Sequence, residues 1–179
     1  MRTTIERDPV AVDAGTQALV LISSLRSPLS LIPESAFENL LVVSTTRSPT
    51  KIEQLVRDRG GDPNKVGVVP VSGSPVDYDG PMWTGSVVHP NDLSGIHQQF
   101  STGMNYVKPG EGWVVFDNVN VLLMYAEPSG VYQLVESVAT QTRDRRASGA
   151  FALVRDAVAD STYERFRGLF DTELDQRES

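Results

Sequence analysis

Five stretches of the chain are apolar without interruption. "QALVLIS" (17–23), "NLLVVS" (39–44), "KVGVVPV" (65–71), "GWVVFD" (112–117) and "GAFALV" (149–154) lack the every-other-residue polarity of a half-exposed strand. Short apolar runs bounded by turn residues read as strands buried on both faces. "GLFDTEL" (168–174) predicts a sixth strand at a sheet edge. Between the runs the apolar period lengthens to three and four. Ser48 and Pro49 form an N-cap and first-turn pair, Ile52, Leu55 and Val56 then share a face, and Gly60-Gly61 ends that helix. Leu93, Ile96, Phe100, Met104 and Val107 predict an amphipathic helix over 92–107, and Val131, Leu134, Val135 and Val138 another over about 130–146. Strands alternating with helices at this spacing imply a mainly parallel sheet with right-handed crossovers. The expected fold is a three-layer α/β domain with helices on both faces, over residues 16–179, preceded by a flexible arm at 1–15. Residues 72–91 fit neither period and predict a long loop or a short hairpin.

Composition narrows the chemistry. The 179 residues suffice for one domain with a proper core. No cysteine is present, which excludes disulfides, zinc–thiolate sites and thiol catalysis. The N-terminal "MRTTIERDPVAVDAG" has no apolar signal core, and no run approaches the roughly 18 apolar residues of a membrane span. A cytoplasmic protein without membrane insertion is expected. A net charge of -7 argues against nucleic-acid binding, since a phosphate backbone would be repelled. Lysine occurs only at 51, 65 and 108, and the remaining basic positions are arginine. With the acidic balance, that usage points to a haloarchaeal proteome or, alternatively, to a GC-rich mesophile.

Three segments carry a family resemblance. "VVSTTRSPTKIEQLVRDRGGD" (42–62) resembles the strand–turn–helix unit of the RecA-like ATPases, most closely their KaiC-type archaeal branch. "GWVVFDNVNVLLMYAEPSGVYQLVESVATQTRDRRASGAF" (112–151) resembles the Walker B strand with the elements after it, and "YERFRGLFDTELDQR" (163–177) the terminal strand. The resemblance covers roughly 17–176 and implies a RecA/KaiC-like fold.

The departures change what it implies. A phosphate-binding loop needs glycines, so that backbone N–H groups can wrap the phosphates, and a lysine to neutralise them. Here only residues 24–38, "SLRSPLSLIPESAFE", separate the first two strands, with no glycine, no lysine, and prolines at 28 and 33. A proline inside a helix costs about 3 kcal/mol, so a full first helix is not expected. In the KaiC-type enzymes the turn after the second strand carries adjacent glutamates that activate water. The matching positions here are Thr46 and Arg47, and neither can act as a carboxylate base. Asp117 stands where the family holds magnesium.

Several residues remain as candidates. Arg26, Ser27, Arg47 and Asp117 would make a vestigial pocket. Asp117 either marks a ligand crevice beyond the strand ends or caps the turn after its own strand, at a cost of about 1–2 kcal/mol when removed. Arg26 and Arg47, on strands expected to lie close together, form an anion or acidic-partner site, or an ion pair with Asp117, or a solvated surface. His89 and His97 lack a zinc spacing. The basic cluster "TRDRR" (142–146) suits a helix C-terminus. Tyr78, Met82 and Trp83, in the 72–91 segment, either dock a protein partner or let Trp83 cover the sheet edge. The resemblance then implies a pseudo-ATPase with no cofactor. It would regulate or scaffold archaeal signalling or cell-surface machinery, as a homodimer or beside an active paralogue. A nucleotide sensor or ATPase with an unconventional loop, and a DNA-associated recombinase paralogue, are the alternatives.

Overall fold

The computed structural model describes residues 12–23 and 26–177. Its strands are β1 (Gln17–Ile22), β2 (Leu40–Ser44), β3 (Val66–Pro70), β4 (Trp83–Thr84), β5 (Trp113–Phe116), β6 (Ser148–Val154) and β7 (Thr172–Asp175). They form a seven-stranded sheet in the order β4-β3-β2-β5-β6-β1-β7, every pairing parallel. The five continuous apolar runs are β1, β2, β3, β5 and β6. β1, β2, β3 and β5 are buried throughout, and so is β6 apart from its last residue.

Alternate residues feed two apolar layers, which is why the runs are apolar between their ends. Leu19, Leu21, Leu41, Val43, Val114 and Phe116 face one side. There they pack on α2 (Leu93–Gly103) and α4 (Pro128–Asp144), joined by the short α3 (Asn120–Leu123) and by α5 (Asp160–Arg167). Ala18, Val20, Val42, Val68 and Val115 face the other, under Ile52 and Val56 of α1 (Pro49–Asp58). The rest of that second layer is Leu29, Ile32, Ala36 and Phe37, from two 3-10 turns at Pro28–Ser30 and Glu34–Glu38. The domain is therefore a three-layer α/β structure, with no α-helix among the described residues between β1 and β2.

Some boundaries differ from the pattern. α2 stops at Gly103 and tightens into a 3-10 turn at Met104–Tyr106, which still points Met104 and Val107 inward. The run from 168 becomes a strand only at Thr172, because Leu169 and Phe170 donate back to Phe166 and Arg167 and close α5. The 72–91 segment is no hairpin: it loops out and returns parallel, pairing β4 with β3 and Val88 with Val71. Residues 1–11 of the expected arm lie outside the described residues. Residues 12–15 form a turn, with Val12 against the second apolar layer. Among the described residues, no helix is long and apolar enough to cross a membrane.

Candidate functional site

Strand order creates one crevice worth attention. From β2 the chain turns toward β3 over the α1 face; from β5 it turns toward β6 over the α4 face. Between two such neighbours the connections diverge, and in open parallel sheets ligands bind outside the carboxyl ends at that point. The turns meeting there are Ser44-Thr45-Thr46-Arg47 after β2 and Asp117-Asn118 after β5.

Asp117 occupies this point, with 1% of its surface exposed. Its own N–H continues the ladder to Val43 O at 3.1 Å. Its carboxyl group reaches across to the β2 turn. Oδ1 accepts from the Thr45 N–H and the Thr45 hydroxyl, both at 2.8 Å. Oδ2 lies 3.1 Å from Thr46 Oγ1 and 3.3 Å from Ser44 Oγ. Burial pushes the Asp117 carboxyl above its ordinary value, and the Thr45 and Thr46 donors with the nearby Arg47 charge oppose that only in part.

The hydroxyl protons explain how such a group is tolerated. Each hydroxyl donates once. Ser44 Oγ also sits 2.6 Å from Arg47 O, a much better acceptor geometry than its 3.3 Å contact with Asp117. Thr45 Oγ1 is equally close, at 2.8 Å, to Asn118 O. Thr46 Oγ1 accepts from Arg47 Nη1 at 3.0 Å, so its own proton is directed at Asp117. A proton on Oδ2 would complete this set by donating to Ser44 Oγ. The arrangement is that of a carboxyl group that latches two turns together, and at 1% exposure neither oxygen is open to solvent.

The four pocket candidates do not converge. Arg47 and Asp117 belong together, but through the Thr46 hydroxyl. Arg26 and Ser27 follow β1, which β5 and β6 separate from β2, about 14 Å away at ordinary strand spacing; the expectation that these strands lie close is corrected by the sheet order. Ser27 is buried, accepts from Leu29 N at 3.2 Å and caps the first 3-10 turn. Asp117 does not cap its own turn either. Asn118 does, accepting from Asn120 N at 2.9 Å.

A hollow of about 300 Å³ lies in front of the latch, between Thr46, Arg47, the first turn of α1, Ser72 and Tyr125. Ser48 accepts from Lys51 N there at 3.2 Å, as its capping position predicts.

The three aromatic and methionine candidates separate as well. Tyr78 donates to Glu53 Oε1 of α1 at 2.6 Å and accepts from Met82 N at 3.1 Å, pinning the loop to the helix. That bond, with Arg57 beside it, draws the Glu53 carboxyl below its usual value. Met82 is buried in the second layer, and Trp83 is half-buried in β4, covering the sheet edge. Among the described residues the large apolar side chains left exposed are Val87, Tyr106, Met124 and Tyr125, none of which the sequence pattern singles out. His97 meets Ser137 Oγ at 2.8 Å in the α2–α4 seam, and Arg143 of the basic cluster pairs with Asp171 at 3.4 Å.

No curated protein matches the sequence. One family model does, described as "Family of unknown function (DUF7504)", over residues 29–175. The match takes in both turns of the crevice. The chain belongs to this DUF7504 family.

Proposed function

We propose that the chain is a non-catalytic RecA/KaiC-like domain that regulates or scaffolds a protein assembly. The observation that carries this reading is the sealed Asp117. The carboxyl group at the strand-order switch is fully buried and engaged by Ser44, Thr45 and Thr46, and the turn opposite offers hydroxyls and a guanidinium where hydrolysis needs a base. The short β1–β2 connection, with its two 3-10 turns, supports the same reading. A fold retained without its chemistry acts through its surfaces, in a cytoplasmic complex with a protein partner, a second copy or an active paralogue. A dimer suits it better than a ring, because nucleotide helps organise rings.

The test is phosphate release from ATP–Mg by the wild type and by Asp117→Asn, at low and at molar salt. Both proteins should sit at the buffer rate. Turnover by the wild type that Asp117→Asn abolishes would overturn the proposal. One observation favours a nucleotide sensor as the second reading: the hollow beside Arg47 and the N-terminus of α1. A sensor binds without hydrolysing, so nucleotide affinity in the absence of turnover would favour it.

A further inference from the structure

A larger hollow, about 550 Å³, opens at the opposite end of the sheet, beside the amino ends of β2 and β3. That volume falls in the range of small-molecule sites, roughly 300–1,000 Å³. Its floor is aromatic. The Trp83 and Tyr106 rings meet at 5.7 Å between centroids, tilted by 41°. Trp83 cannot sink or tilt away easily: a Cβ at Gly67 would lie 3.1 Å from its Cε3, and one at Gly103 3.2 Å from its Cζ3. The indole is therefore seated on two glycines. The Tyr106 ring is 63% exposed although the backbone that carries it is anchored. Asn39 donates to Tyr106 O at 3.0 Å and accepts from Lys108 N at 2.7 Å, and Val107 between them is buried. The rim is built rather than loose.

The charges around it are specific too. Two of the chain's three lysines, Lys65 and Lys108, line this hollow with Glu38 and Glu111. Lys65 pairs with Glu38 at 2.6 Å. Among the described residues Lys108 and Glu111 have no ion-pair partner, though they stand on one tight turn, with Glu111 N donating to Lys108 O at 3.2 Å. The hollow thus offers one unpaired cation and one unpaired anion next to an aromatic wall. Its lining is neutral overall, inside a chain of net charge -7 that would repel a simple anion.

We propose that this hollow binds a net-neutral aromatic zwitterion, a free aromatic α-amino acid. The ring lies against Tyr106 and Trp83, the carboxylate faces Lys108 and the ammonium faces Glu111. The site lies at the other end of the sheet from the Asp117 crevice, so its outcome is independent of whether the carboxyl end binds nucleotide.

Calorimetric titration with L-phenylalanine, L-tyrosine and L-tryptophan tests it. At least one should bind with a dissociation constant below about 1 mM. Tyr106→Ala should weaken that binding tenfold or more while leaving the melting temperature in place, since the ring is mostly exposed. Lys108→Met and Glu111→Gln should each weaken it several-fold, and so should probes lacking one charge, 3-phenylpropionate and phenethylamine. No binding at about 10 mM of any of the three amino acids overturns the proposal. So does equal binding of L-leucine, equal binding of the singly charged probes, or indifference to Tyr106→Ala.

Discussion

Removing the Asp117 carboxyl group separates its structural and charged roles. In Asp117→Ala, Ser44 Oγ keeps Arg47 O at 2.6 Å and Thr45 Oγ1 keeps Asn118 O at 2.8 Å, so both hydroxyls remain satisfied. Thr46 is exposed and can turn to water. The Thr45 N–H loses its acceptor in a buried position. One orphaned buried donor costs about 1–3 kcal/mol, and the small void adds about 1 kcal/mol. The expected loss is about 2–4 kcal/mol, larger than the 1–2 kcal/mol of an ordinary turn cap. In a domain of this size that lowers the melting temperature by roughly 4–16 °C. Asp117→Asn keeps an acceptor for Thr45 and supplies a donor toward Ser44, and should lie within about 1 kcal/mol of wild type. The pH dependence adds a second check. An acid whose folded pKa is raised holds its proton more tightly in the folded state, so its contribution is complete below its ordinary value of 3.8 and is lost as pH rises through the raised folded value. Wild-type stability minus that of Asp117→Asn should therefore fall as pH increases across that window. Glu53 and Asp62, whose carboxyls are lowered, act in the opposite sense but are common to both proteins and cancel in the difference. Urea unfolding at a series of pH values measures it. A difference that grows with pH, or an Asn variant as unstable as the Ala variant, would refute the latch argument.

Three further substitutions probe the scaffold. Tyr78→Phe removes the bond to Glu53 and the acceptor for Met82 N; it should cost about 1 kcal/mol and speed hydrogen exchange at the Met82 amide, whereas unchanged exchange would mean the loop is held elsewhere. Gly149→Ala should destabilise even though alanine suits a strand better, because its Cβ would fall 2.0 Å from Gln17 Oε1, and Gln17 is fully buried with its amide nitrogen fixed to Ala147 O; a loss of about 1–3 kcal/mol is expected by denaturant unfolding, and a gain would show that the amide can move. Asn39→Ala frees Tyr106 O and Lys108 N at the amino-end rim and should cost about 1 kcal/mol while speeding exchange at the Lys108 amide; a neutral result with unchanged exchange would remove the claim that this rim is rigid.

Much of this fold is legible in the chain because a parallel strand covered on both faces leaves no polar position to obscure it. β1, β2, β3, β5 and β6 are read directly for that reason, and Ser48-Pro49 marks the start of α1 through cap chemistry that is local. Pro28 and Pro33 likewise foretell the absence of a helix between β1 and β2. What sequence could not supply was neighbourhood. β4 has two residues and exists only because β3 presents an edge to it. The end of α2 at Gly103 is hidden because a 3-10 turn continues the apolar spacing. Placing Arg26 near Arg47 failed for want of the strand order, which inserts β5 and β6. The hydroxyls of Ser44, Thr45 and Thr46 are visible as a run, but their partner lies more than 70 residues away; an Asp after an apolar strand, opposite such a run, is the signal that would have found the latch.

The proposed reading, a RecA/KaiC-like fold kept without its nucleotide chemistry, predicts that the crevice at the strand-order switch binds no nucleotide, and a thermal-shift titration tests that most directly. ATP, ADP and GTP would each be supplied with magnesium, in molar salt. A ligand bound only by the native state at 100 times its dissociation constant adds about 2.7 kcal/mol, a shift of several degrees in a domain of this size. The account predicts no shift with any of the three. A saturable shift that Asp117→Asn or Arg47→Ala removes would contradict it.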